Sequence, residues 1–524
     1  MGYLYRDDGS LSVFKPLLIA WLAFYIGRIV YRVWFHPLAK FPGPRLAAAT
    51  HLYEVYYELI HKGGAQFTLN VRNLHSAYGP IVRINPDEVS VNDAHFHDKL
   101  YAPQPAVRDR HPNFSAMLGT TKGSFSTPDH QLHRSRRAAY TQFFSWSNVI
   151  ASESLISDKV HHLCDILSSR RERRPNIRTF FAALAFDSFF TWAFGSSLEL
   201  LDNLITAEQY NETVELLVTT APIYRIMPSL MYLARKTPRV ILRYLSRHID
   251  RVLALEELVV TTAEHFVATE PALSAKTSSK QDSIQISSPE TLFSVIRRSQ
   301  APDEEKSPVR MAQEGLEMFM ASFTPGRSMM LGMFYVLSHP EVLRRLREDI
   351  DSVNPDLSQR LTYQKLNNIP YLRATMKEIL RITFPVGARL PLTCHEEIAF
   401  RDWAIPAYTA ISVNHRALLL DPSVFPEPLE FKPERWLQSE HPIDEKRHFV
   451  AFGKGGRACP GRDFATNFIQ LTLATLLQRL EFEIVDTSWE RDVAVSREST
   501  LTTPSYASSG VKLKFVGPRK VGQT

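Results

Sequence analysis

Cysteine is nearly absent from this chain. Only Cys164, Cys394 and Cys459 occur in 524 residues, with neither a disulfide framework nor a zinc-ligand spacing among them. That scarcity places the folded part of the protein in a reducing compartment. A strong excess of one sign of charge is missing as well. The 61 basic and 55 acidic residues leave a formal charge of +6, spread without a basic stripe interleaved with aromatics, which excludes nucleic acid as an expected partner. No internal repeat is visible, and no linker divides two cores. The one low-complexity stretch, residues 271–289, is expected to be a surface loop. With 44% hydrophobic and 22% charged residues, the composition is that of a globular protein with a substantial core.

Charge is locally absent near the N-terminus. From Pro16 to Gly27 there is none, and apolar residues continue past Arg28 and Arg32 to Phe35. The two arginines interrupt an otherwise spanning run, but long cationic side chains snorkel to headgroups, and Trp21, Tyr25, Tyr31 and Trp34 suit an interface. No small-residue cleavage site follows, which argues against a signal peptide. We read residues 1–35 as a membrane anchor, 36–44 (through Pro42-Gly43-Pro44) as a proline-rich hinge, and 45–524 as one folded domain. Basic residues lie mainly after the anchor, so the positive-inside bias leaves that domain cytoplasmic. Its pattern is mainly α with small β-sheets. Strands are expected at Ile81-Val82-Arg83-Ile84, before Asn85-Pro86, and within residues 389–414.

The most informative segment is Phe452-Gly453-Lys454-Gly455-Gly456-Arg457-Ala458-Cys459-Pro460-Gly461, which fits F-x-x-G-x-R-x-C-x-G. A thiolate can ligate haem iron and favour O–O cleavage. Glycines such as Gly455 and Gly461 permit positive φ and bring amides to the sulfur, tuning its basicity. Arg457 can reach a haem propionate. The loop, with Phe452 at its start, resembles the haem-binding loop of the cytochrome P450 family, and the hinge His36–Pro44 is similar to that of microsomal and particularly fungal members. The resemblance implies a haem-thiolate monooxygenase fold with haem b, Cys459 being the axial iron ligand.

Further segments match the family with differing fidelity. Glu378-Ile379-Leu380-Arg381 puts an acid and a base on one helix face. The resemblance joins Glu378 and Arg381 to Arg435 as a buried triad. In Asp129–Arg137, followed by Phe143-Phe144-Ser145, the propionate-binding pattern puts His133 at its aromatic position and Arg137 at its arginine; His130 with Arg134 has the same spacing. Leu392 stands where many relatives carry a second arginine. The distal signature A/G-G-x-D/E-T-T falls on Ala321-Ser322-Phe323-Thr324-Pro325-Gly326, so the acid position holds Thr324 and the alcohol position Pro325. A mid-helix proline costs about 3 kcal/mol and frees the carbonyl of Ala321.

Two functional readings follow. In the first, Thr324 and Ser322 with water replace the proton relay. The enzyme then hydroxylates or epoxidises a lipophilic secondary metabolite of terpenoid or polyketide type, with electrons passing from NADPH through a flavoprotein reductase. In the second, the haem-thiolate acts without a reductase as an isomerase, dehydratase or peroxygenase. A haem-binding protein without turnover is a third reading. The cationic residues Lys454, Arg457 and Arg462 are expected to steer the reductase. Specificity is expected from residues 100–127 and 204–245 and from Phe323 above the haem. The resemblance implies an endoplasmic reticulum membrane location with a single-pass N-terminal anchor.

Overall fold

The computed structural model describes residues 9–103, 105–169, 176–277, 289–438, 440 and 442–519. It is mainly helical with small sheets. The helix Gly9–Val30 runs into a wider turn, Tyr31–Phe35. Its apolar window, Pro16–Phe35, spans 20 residues, and none of it is buried by protein. A helix apolar on all sides with no protein against it is compatible with a membrane anchor.

The hinge is docked rather than free. Leu38 and Phe41 are buried in a hydrophobic cluster with the last strands of the sheet, and the Phe41 ring stacks on Trp403 at 5.0 Å. The Arg83 amide donates to the Pro42 carbonyl at 2.7 Å. Gly43 has φ +152°, and a Cβ there would lie 2.4 Å from the Arg83 carbonyl oxygen. Only glycine fits that approach.

The largest sheet joins distant parts of the chain. Its strands are β1 (Ile81–Asn85), β2 (Glu88–Val91), β3 (Arg108–Arg110), β4 (Leu392–Cys394) and β7 (Ala410–Ser412), with β5 (Ile398–Phe400) and β6 (Trp403–Ile405) forming a separate hairpin. The order is β1-β2-β7-β4-β3. Both regions expected to be extended from sequence lie in this sheet, joined through β2, a strand the sequence did not show. On β3 and β4, Arg110 lies opposite Leu392.

The core forms around the helix Ile177–Phe194, which is apolar around nearly its whole circumference and therefore buried. Asn176 caps its start, and Gly195 ends it in the left-handed conformation. It crosses the helix Phe323–Ser338 closely: a Cβ on Gly326 would meet the Phe181 carbonyl oxygen at 2.9 Å. Trp192 stacks between Phe143 at 4.1 Å and Phe464 at 4.3 Å. Phe464 belongs to the helix Arg462–Arg479, so this aromatic stack fixes the helix that leaves the cysteine loop.

Two sequence expectations change. The polar stretch from residue 271 begins as helix, because Arg247–Thr277 continues through it; residues 278–288 lie outside the described residues. The distal helix is not one kinked rod. It is two helices, Pro308–Ala321 and Phe323–Ser338, joined at Ser322. Pro325 thus falls in a first turn, where backbone N–H groups lack intrahelical acceptors in any case. Restarting the helix avoids most of the interior-proline cost.

Candidate active site

The cysteine loop is a set of tight turns. Gly453 and Gly455 have φ +65° and +66°. A Cβ on Gly455 would lie 2.4 Å from the Tyr101 carbonyl oxygen, so the loop can sit against that segment only with glycine. The Cys459 amide donates to the Phe452 carbonyl at 2.8 Å, and the Gly461 carbonyl opens the next helix by accepting from Ala465 at 2.8 Å. Cys459 is the one cysteine of the three that carries accessible surface. Burial pushes the Cys459 thiol up, while the Gly461 amide and the charges of Arg137 and Arg462 pull it down.

Glu378, Arg381 and Arg435 come together behind this loop, fully or almost fully buried. Arg381 grips both Glu378 oxygens, at 2.9 and 2.8 Å. Arg435 Nε donates to Oε1 at 3.0 Å, and Trp436 Nε1 to Oε2 at 2.9 Å. The remaining guanidinium N–H groups reach the carbonyls of Leu419, Pro428 and Pro426. Each charge is therefore both paired and hydrogen-bonded, the condition under which buried ions persist. Trp436 and those carbonyls are members that spacing alone did not reveal.

Cations gather near the cysteine loop. His133 is buried, while the His130 amide donates to Asp109 on β3 at 2.8 Å. Arg137 is half-buried and Arg134 exposed. Burial and the charges of Arg457, Arg110 and Arg137 push the His133 imidazole far down. Burial and Arg110 lower Arg457 to about 9, and burial lowers Arg110 to about 10. Buried Nε atoms of both arginines lack a hydrogen-bond partner. Cations that depress one another and keep unused donors fit a bound dianion. The two propionates of haem, with the thiol of Cys459 for its iron, match that donor set. Arg110 was not identified from sequence. Its signal was the lost arginine at Leu392, the residue directly across the ladder. Arg389 is engaged elsewhere, with Glu54 at 2.7 Å and Glu88 at 3.1 Å.

The distal side differs from expectation. Ala321 is accessible and Thr324 half-buried, although their neighbours are buried. The Thr324 hydroxyl donates to the Ala321 carbonyl at 2.9 Å, occupying the acceptor that Pro325 frees. Ser322 is turned into the protein, its hydroxyl committed to the Phe319 carbonyl at 2.6 Å. It therefore does not share the open face with Thr324. Phe323 is also buried, beside Phe186 in the core. Lys454 binds Asp98 and the Arg447 carbonyl, leaving Arg462 as the more exposed cation of the loop.

A small cavity is lined by Phe114 and Met117, by Ala221, Pro222 and Arg225, and by Ala388, Arg389, Ser499 and Thr500, with the buried Glu58 and Thr68. The first two groups come from the regions expected to set specificity. The third was not expected, because only folding brings its two segments there.

Comparison with known proteins agrees with this geometry. The cytochrome P450 family model matches residues 50–507. The chain is 31% identical to cytochrome P450 monooxygenase sdnE of Sordaria araneosa, over 97% of this chain and 98% of that protein. It is 31% identical to fusicoccadiene C-8 hydroxylase of Phomopsis amygdali, covering 96% of each. Conidiogenone synthase PchP450 of Penicillium rubens is 29% identical, over 95% and 99%. These relatives favour oxygen insertion over the reductase-free and non-catalytic readings. With a cysteine loop, a buried acid–base triad and a cation cluster arranged for haem, the chain belongs to the cytochrome P450 family and is a haem-thiolate monooxygenase.

Proposed function

We propose that this enzyme hydroxylates or epoxidises a lipophilic secondary metabolite of terpenoid or polyketide type. The observation that carries the reading is Cys459, accessible at the end of its glycine turns and within the field of Arg137 and Arg462. A relative named as a fusicoccadiene hydroxylase supports the substrate class. Bound haem would supply the oxidising chemistry, one atom of dioxygen entering the substrate and the other leaving as water. Cys459 would hold the iron, and Arg110, Arg137, His133 and Arg457 the propionates. Gly453 and Gly455 give the loop its close turns, Gly461, at φ −85° rather than the positive φ expected, precedes the next helix, and the Phe452 carbonyl accepts the Cys459 amide. Thr324 presents a hydroxyl on the distal face and can hand a proton onward.

Electrons come from an NADPH-dependent flavoprotein reductase, which approaches the side carrying Arg462. In this reading the chain divides into anchor (1–35), hinge (36–44) and catalytic domain (45–524), with that side in the cytoplasm at the endoplasmic reticulum membrane; the apolar N-terminal helix supports it. An exposed apolar face on the helices Ser229–Lys236 and Arg239–Leu245, with Tyr244 93% and Val240 80% exposed, supports a second contact with the bilayer. Comparison of metabolites from producing cells with and without the protein is the test. Accumulation of a less oxidised apolar precursor is expected; an unchanged profile refutes the assignment.

A further inference from the structure

The expected signature leaves the distal pocket without an acid, yet an acid is present one turn upstream. Glu317 precedes Ala321 on the same helix face. Successive turns there are about 5.4 Å apart, the span of one ordered water. Glu317 is 5% exposed. The loop preceding the propionate helix closes over its carboxyl group. Thr120 Oγ1 donates to Oε1 at 2.7 Å, the Ser126 amide to Oε1 at 3.1 Å and the Phe125 amide to Oε2 at 2.8 Å. Ser126 Oγ also bonds Oε1, and the two hydroxyls bond each other. Gly123 lies so close that an added Cβ would overlap the carboxyl group.

A second acid, Glu314, completes the arrangement. Arg310 pairs with it at 2.7 Å, and Ser124 Oγ, itself bonded to Tyr140, donates to it at 2.5 Å. Among the described residues no arginine or lysine forms an ion pair with Glu317. The charged and titratable groups facing it are Glu314 on its own helix, Arg110 on β3, and Tyr140 beyond the propionate helix. The outer residues of the covering loop, Thr121 and Lys122, are exposed. One layer of chain thus separates Glu317 from bulk water.

We propose that Glu317 is the acid that stores the proton for the distal pocket, loaded from solvent through Thr120 and Ser126. Burial and Glu314 raise its carboxyl to about 7, so at neutral pH it both holds and releases a proton, as a relay group must. The ring formed by Oε1 and the two hydroxyls can reverse its donors. A proton enters from water at the loop, moves to Glu317, and leaves toward Ala321 and Thr324. There it joins the balance RH + O2 + 2H+ + 2e− → ROH + H2O, the electrons coming from the reductase. The inference rests on the monooxygenase assignment, which the Soret band of the reduced, carbon-monoxide-bound protein tests separately.

The first measurement is infrared titration of the ferric holoprotein, comparing wild type with Glu317→Gln. A protonated-carboxyl band titrating near neutral pH and absent from the variant is expected; its persistence in the variant overturns the proposal. The second uses reductase and NADPH without substrate and measures how oxygen divides between hydrogen peroxide (two electrons, two protons) and water (four of each). Glu317→Gln is expected to raise the peroxide-to-water ratio about tenfold and flatten its pH dependence. An unchanged ratio refutes the role. If Glu317→Gln does not fold, Thr120→Val is titrated instead, where losing one hydrogen bond to the carboxylate must move the band to higher pH. A band that stays in place overturns the loading path.

Discussion

The two sides of the haem site are built in different ways. On the cysteine side the parts are local: a ten-residue loop, a triad begun within one helical turn, and a single distant arginine. Each has a side chain whose partner is dictated by spacing or by buried charge. On the distal side the parts come from separate segments, the helix Pro308–Ala321 and the loop 120–127, and their partnership exists only after folding. The ligand side therefore reads as a motif, and the proton-handling side does not.

The largest expected effect lies on the ligand side. Glu378→Ala leaves Arg381 and Arg435 buried without their anion, a loss of about 3–5 kcal/mol. The purified variant is expected to lack stably bound haem by pyridine haemochrome assay; normal occupancy breaks the account of the triad. Gly455→Ala comes next. The added Cβ meets the Tyr101 carbonyl at 2.4 Å and the residue must keep a positive φ, a strain of about 1–3 kcal/mol. A lower midpoint in urea unfolding of the holoprotein checks it.

A smaller effect tests the substitution of one arginine for another. Arg110→Leu is expected to speed haem loss about tenfold by removing one charge-assisted contact. Adding Leu392→Arg, across the same ladder, is expected to restore retention. Haem transfer to apomyoglobin measures both.

Glu317 gives the distal side a pH signature. Its carboxyl titrates at about 7 in the folded protein against an ordinary 4.5. Its contribution to stability is therefore fully present below about pH 4.5 and lost as pH rises through about 7. Glu317→Gln should remove that part of the slope in denaturation midpoints collected across this range. The smallest effect is at Pro325. Because it occupies a first turn, Pro325→Ala is expected to change stability by less than about 1 kcal/mol, against the ~3 kcal/mol of an interior proline. A large stabilisation would restore the single kinked helix.

Legibility followed the range over which each signal acts. The mainly helical fold with small sheets, the apolar N-terminal segment, Cys459 and the residues of the triad all stood out, because local pattern and charge pairing carry them. Arg110 was hidden because its role depends on pairing β3 with β4, strands far apart in the chain. Ser322 was misread because a side chain's direction depends on where a helix stops and restarts, and Ser322 is that junction. His130 and His133 could not be separated by spacing. Only the folded structure separates them, burying His133 and leaving His130 half-buried.

The sequence by itself determined the family, since a cysteine turn with fixed glycines tolerates little variation in residue type or spacing. It also put Thr324 and Pro325 where the resemblance expects a distal acid and alcohol. Only the tertiary structure decided what stands in their place. A carboxyl group becomes a proton store through burial, a neighbouring acid and hydroxyl partners. Those come from a loop nearly two hundred residues upstream of Glu317, and no local pattern in the chain encodes that meeting.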